Sequence, residues 1–129
     1  MSKWLRQALS DLGAARDSLK TGHHEWSCFQ AQQAAEKAVK AFLYSRGYTS
    51  ILSHSLTELV REAAKLEPGF RTAEKPARRL DAFYIPTRYP NGLAGELTPS
   101  EFYCQEDAQA CLNSAELILK TVREYKKSS

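Results

Sequence analysis

Two lysines three residues apart, an arginine between prolines and a histidine ahead of a helix are the side chains here that could meet an anion. Gln30, Gln33, Lys37, Lys40 and Tyr44 follow 3-4-3-4 spacing, so on a helix they share one face. Two ammonium groups there suit a phosphate or a nucleic-acid backbone. The same spacing also has a plain reading, a solvated face on which Glu36 and Lys40 form an i,i+4 pair worth about 0.2–0.5 kcal/mol. Arg88 stands in Pro86-Thr87-Arg88-Tyr89-Pro90. Its guanidinium can fork onto a carboxylate or phosphate, and the flanking prolines lower the entropy lost on ordering the segment. Alternatively it pairs with Asp81 or Glu36 and pins a loop. His54 can donate to a phosphate or move a proton, or hydrogen-bond to backbone at a helix junction. His23 and His24 are adjacent and diverge by about 100° on a helix, which suits surface positions better than a shared metal. No glycine-rich phosphate loop, carboxylate dyad or Ser/His/Asp order is present, and Cys28 has no identifiable base. The residues alone therefore name no catalytic group, metal or cofactor.

The lysine face needs a long helix to carry it. Glu25 to Arg46 supplies one, free of Gly and Pro and rich in Ala, Gln, Glu and Lys. Beside the polar stripe runs a second one of Cys28, Ala31, Ala35, Ala38 and Phe42, mostly small, which lets a partner helix approach closely. Ser2 to Lys20 reads as the helix before it, with Leu5, Ala8, Leu12, Ala15 and Leu19 inward and Trp4 beside them. Thr21-Gly22 ends that helix, and so short a connection makes the two helices antiparallel. After Gly47, Ser55-Leu56-Thr57-Glu58 has the form of a capping box. It opens a third helix that stops at Pro68-Gly69. A fourth is expected over Thr72 to Tyr84, starting as late as Lys75 because Pro76 belongs in a first turn. Pro86 and Pro90 then predict a loop. Thr98 to Glu101 can cap a short turn, and a last helix runs to Lys126 with Ala108, Cys111, Ala115, Ile118, Val122 and Tyr125 inward. No strand pattern competes. The expectation is one all-α domain over residues 1–129, an up-and-down bundle of three long and two shorter helices.

At 129 residues the chain can bury a core without a metal or disulfide. A net charge of +3 is too mild for a dedicated duplex-DNA binder but compatible with an anionic ligand. Three widely spaced cysteines with no Cys-x-x-Cys argue for free thiols and against zinc. No apolar run approaches membrane-spanning length and no signal-peptide core appears, which predicts a soluble cytoplasmic protein.

The pieces together resemble the HEPN domain family (higher eukaryotes and prokaryotes nucleotide-binding). The likeness is carried by Trp4-Leu5-x-Gln7-Ala8 with Asp11-Leu12, by Gln32-Gln33-Ala34-Ala35-Glu36-Lys37 inside the long helix, by His54-Ser55-Leu56, and by Leu80-Asp81-x-Phe83-Tyr84-Ile85-Pro86-Thr87-Arg88-Tyr89-Pro90. It spans nearly the whole chain. The resemblance implies an α-bundle that forms homodimers and, in microbes, often acts beside a minimal nucleotidyltransferase in a toxin–antitoxin or nucleotidyl-transfer pair. On the matching positions Gln33, Lys37, Lys40, His54, Arg88 and Tyr89 would line a polar groove for a nucleotide, another phosphate ligand or the partner. No cofactor and no metal are expected.

Many family members are metal-independent ribonucleases, marked by an Arg, four to six residues and a His. After Arg88 the corresponding window is Leu93-Ala94-Gly95, without histidine. Only Arg16 and His23 satisfy the count, and they stand at the end of the first helix, away from the family position. The expectation is a binding module rather than an enzyme, with no catalytic residues assigned. An RNA-cleaving toxin with an unrecognised constellation and a purely structural bundle are the alternatives.

Overall fold

The computed structural model describes residues 2–51, 53, 55–88 and 97–126, apart from the side chains of residues 84–88 and 126. These residues form six α-helices and a 3-10 segment, with no strand among them: α1 (Lys3–Lys20), α2 (His24–Ser45), α3 (Leu56–Leu66), the 3-10 segment Pro68–Ala73, α4 (Glu74–Arg88), α5 (Pro99–Phe102) and α6 (Gln105–Lys126). The expected all-α bundle of three long and two shorter helices is what folds, with α5 as the short turn.

Chain chemistry sets the ends of the long helices. The Ser2 hydroxyl accepts from the Leu5 N–H at 3.2 Å and caps α1. At the other end His23 N–H reaches Ser18 O at 2.9 Å and Gly22 N–H reaches Leu19 O at 3.3 Å. That paired closure needs a left-handed residue, and Gly22 has φ +81°. Helix α2 closes the same way around Gly47, φ +96°. The turn at Gly22 folds α2 back along α1, as the short connection requires.

Helix α2 is the axis of the molecule, packing against α1, α3, α4 and α6. Its small-residue stripe is fully buried: Cys28, Ala31, Ala35, Ala38 and Phe42 expose nothing. Leu5, Ala8, Leu12 and Ala15 of α1 and Ala108, Cys111, Ala115, Ile118 and Val122 of α6 complete that core. Each fully buried Leu, Ile, Val or Phe contributes about 1.5–3 kcal/mol. At one end Phe42 meets Phe70 at 4.6 Å, and Phe70 meets Tyr125 at 5.4 Å. Glycine at position 69 makes room for that ring, because a Cβ there would stand 1.7 Å from the Tyr125 hydroxyl.

Two expectations need correction. Helix α4 does not stop at Tyr84; it runs through Pro86 to Arg88. The prolyl nitrogen removes one i→i−4 bond, but the N–H groups on either side of it remain. Near a helix end that loss is confined to the final turn, so the helix survives, and Arg88 belongs to α4 rather than to a loop. The capping box at Ser55 is only half formed. Ser55 Oγ accepts from Glu58 N–H at 3.3 Å, but the Glu58 carboxylate takes the Ser53 hydroxyl at 2.6 Å, and Ser53 Oγ accepts from Ser55 N–H at 3.2 Å. The stronger cap comes from α4: Asp81 accepts from Leu56 N–H at 3.0 Å, Thr57 N–H at 2.9 Å and the Thr57 hydroxyl at 2.7 Å. A carboxylate at a helix N-terminus meets unpaired N–H groups and the positive end of the dipole.

Candidate functional site

Seven-residue steps up α1 meet seven-residue steps down α2, which aligns the polar stripe with a row of partners. Trp4 lies 5.4 Å from Tyr44, ring to ring. Lys37 Nζ lies 2.5 Å from Asp11 Oδ2. Ser18 Oγ and the Gln30 amide are 2.7 Å apart. Seven residues are close to two helical turns, so the register repeats along the seam. Below it the Ser27 hydroxyl donates to Ala15 O at 2.7 Å, a contact only a close helix pair permits.

The stripe is therefore a seam between helices, and its charges are already compensated. Lys40 Nζ is 3.1 Å from Glu36 Oε2, with the two side chains only 10% and 11% exposed. The pair named from spacing exists, but it is buried rather than solvated. The Lys40 ammonium also stands over the Trp4 ring, 5.9 Å from its centroid, a further attraction of about 0.5–1 kcal/mol. Glu36 Oε1 accepts from Gln32 at 3.3 Å, and Gln32 Oε1 accepts from Gln33 at 2.8 Å. Gln33, Gln32, Glu36 and Lys40 thus form one satisfied chain of hydrogen bonds in a mainly hydrocarbon setting. Lys37 differs. Its pair with Asp11 is 25% and 18% exposed, so water and small anions can reach it. The Gln7 amide holds the other Asp11 oxygen at 2.9 Å.

Of the six candidate residues, Gln33, Lys37 and Lys40 share this seam. Arg88 closes α4 in backbone. His54 and Tyr89 lie outside the described residues. Asp81 accepts from the start of α3, and Glu36 is bonded to Lys40 and Gln32. Arg16 pairs with Glu116 of α6 at 3.0 Å, while His23 precedes α2 as its cap residue. Spacing named Glu36 as the partner of Lys40 but did not single out Asp11 for Lys37 or Trp4 for Lys40. One signal was available: Gln7 and Asp11 stand i,i+4 on α1, so they share a face.

The thiols offer no nucleophile at this seam. Cys28 and Cys111 are buried free thiols, and Cys104 is exposed. A hydrogen bond with Cys28, reinforced by burial, pushes the Cys111 thiol far up, so it stays protonated. Among the described residues no group of His, Cys, Asp and Glu is arranged to hold a metal ion. No described helix is long and apolar enough to cross a membrane.

An antiparallel α1–α2 pair with a polar seam, wrapped by α3, α4 and α6, defines a class of helical domain. The chain belongs to the HEPN family: the HEPN domain model matches residues 1–125. A Methanocaldococcus jannaschii protein described as "Putative toxin MJ1304" is 32% identical over 96% of this chain and 86% of its own length. Among solved structures, TT1696 from Thermus thermophilus superposes with a TM-score of 0.82 at 36% identity, covering 94% of both chains. ST0689, described as an archaeal HEPN homologue, gives a TM-score of 0.78 at 36% identity, covering 97% of this chain and 98% of its own.

Proposed function

We propose that the protein is a nucleotide-interacting HEPN module that self-associates as a homodimer and acts beside a minimal nucleotidyltransferase, in a toxin–antitoxin or nucleotidyl-transfer pair. Family membership and the relative described as a toxin support the general role. The observation that carries the site is the Lys37–Asp11 pair. It is partly dehydrated yet open to solvent, so a phosphate oxygen can take the place of the Asp11 carboxylate on the ammonium. Lys40, tied to Glu36 beneath Trp4, acts in this reading as a positioning residue that holds the seam in register. Gln33 faces the ligand beside Lys37; the roles of Arg88, His54 and Tyr89 in this reading rest on the family resemblance alone. The three free cysteines fit a reducing cytoplasm. The test is thermal unfolding with and without ATP. The melting temperature should rise in the wild type and rise less in Lys37→Ala and Arg88→Ala. No shift in any of the three proteins overturns the nucleotide reading.

The description of the Methanocaldococcus relative as a toxin favours a second reading, a metal-independent ribonuclease. It requires RNA cleavage by purified protein in the presence of a chelator, lost in His54→Ala. Intact RNA under those conditions removes it.

A further inference from the structure

Two exposed surfaces of this chain complement each other. The first is a groove of about 340 Å³ where α3 meets the 3-10 segment and the start of α4. Half-buried Ala64 lies at its floor above the fully buried Val60, and Arg61, Lys65, Arg71 and Glu74 stand around it. Cations outnumber acids at this rim. Glu74 is shared between Arg61 and Arg78, Lys65 has Glu62 at 3.0 Å, and Arg71 makes no ion pair among the described residues. The second surface is the knob made by α5 and its flanks. Phe102 is 52% exposed and Leu97 is 49% exposed, large apolar groups set into water. Glu101 and Glu106 are exposed beside them in sequence, with Asp107 half-buried.

The knob is rigid before it meets anything. Thr98 donates to Glu101 from its backbone N–H at 3.0 Å and its hydroxyl at 2.7 Å, which locks the turn. The Phe102 ring stands edge-on to Tyr103 at 5.2 Å. Tyr103 is itself buried and packs 5.5 Å from Phe83 of α4. A preorganised apolar projection loses little entropy on docking.

We propose that a second copy of this chain seats its α5 knob in the α3–α4 groove, reciprocally about a two-fold axis. Phe102 and Leu97 cover Ala64 and the hydrocarbon stems of Arg61 and Lys65, while Glu101 and Glu106 face Arg71 and Lys65. One aromatic brings roughly 150–250 Å² of contact. Seating both knobs, with Leu97 and the stems of the basic side chains, moves the contact toward the roughly 800 Å² per partner of a specific interface. A one-way contact would instead propagate into open chains. The inference rests on the self-association in the proposed function and assigns the surface that performs it.

The test combines light scattering after size exclusion with cross-linking. The wild type should be a dimer. Arg71→Glu and Glu106→Arg should each raise the dimer dissociation constant about tenfold or more, and the combined variant should recover most of that loss. In Lys65→Cys, mild oxidation should link the new thiol to the native exposed Cys104 of the other copy, giving a dimer band on a non-reducing gel that the wild type lacks. A dimeric wild type whose charge variants stay fully dimeric, with no linked band, overturns this surface and leaves self-association standing. A monomeric wild type at all concentrations overturns both. A linked band confined to the monomer places knob and groove in one molecule and also overturns the proposal.

Discussion

The Lys37 ammonium and the Asp11 carboxylate meet at 2.5 Å across the α1–α2 seam, at the accessible edge of that seam. Three residues further along α2, Lys40 makes a pair of similar chemistry with Glu36 at less than half the exposure of Lys37. The two lysines share a helix face and differ in what they are free to do. An ion pair with access to water exchanges partners at little cost, whereas a buried one leaves a stranded charge when it opens.

That contrast predicts a split in stability. Lys37→Ala should cost under about 1 kcal/mol, the range of accessible pairs. Lys40→Ala should cost about 2–3 kcal/mol, because Glu36 loses a charge-assisted bond inside the seam. Urea unfolding of both variants reads the difference, and equal losses would mean the two pairs have equal access to solvent.

Asp81 holds α3 to α4 through the first N–H groups of α3. Asp81→Ala should lower stability by about 1–2 kcal/mol, and Asp81→Asn should recover part of it, since an amide oxygen still accepts. Hydrogen exchange should speed up at Leu56 and Thr57 first. Unchanged protection there would show that Ser55 alone suffices as the cap.

Ala35 exposes nothing in the small-residue stripe. Ala35→Leu should overfill a close helix contact and cost about 1–3 kcal/mol. Thermal melts check this, and a fully stable variant would put the wrong face of α2 inside.

The turn before α6 should respond to acid. Hydrogen bonds from the Thr98 N–H, then from its hydroxyl, hold the Glu101 carboxyl below the ordinary glutamate range. A depressed value in the folded state means that the turn is supported above the ordinary glutamate pKa and loses that support as pH falls through the folded value. A carboxyl NMR titration should place Glu101 below ordinary glutamate, and Thr98→Val should move it back up. An ordinary midpoint in the wild type contradicts the cap.

The elements of this fold were legible because they rest on local signals. The 3-4 spacing on α2 named Cys28, Ala31, Ala35, Ala38 and Phe42 as core, and Gly22 and Gly47 marked the ends of two helices. Helix α4 was misread because Pro86 states a local steric rule that a final helical turn can absorb. The seam was half legible. Gln33, Lys37 and Lys40 were visible as a face, but Asp11 and Trp4 come from another helix, and only the register of α1 against α2 pairs them. Sequence spacing gives the direction of a side chain and says nothing of its distance from a partner on a second element.

The central claim is that Asp11 occupies the place a phosphate would take on Lys37. Isothermal titration of ATP into the wild type, Lys37→Ala and Asp11→Asn tests it most directly. Removing the competing charge should tighten binding in Asp11→Asn by several-fold, and removing the ammonium should weaken it about tenfold or more, the loss of one charge-assisted contact. Binding curves for both variants that overlay the wild type would contradict the account.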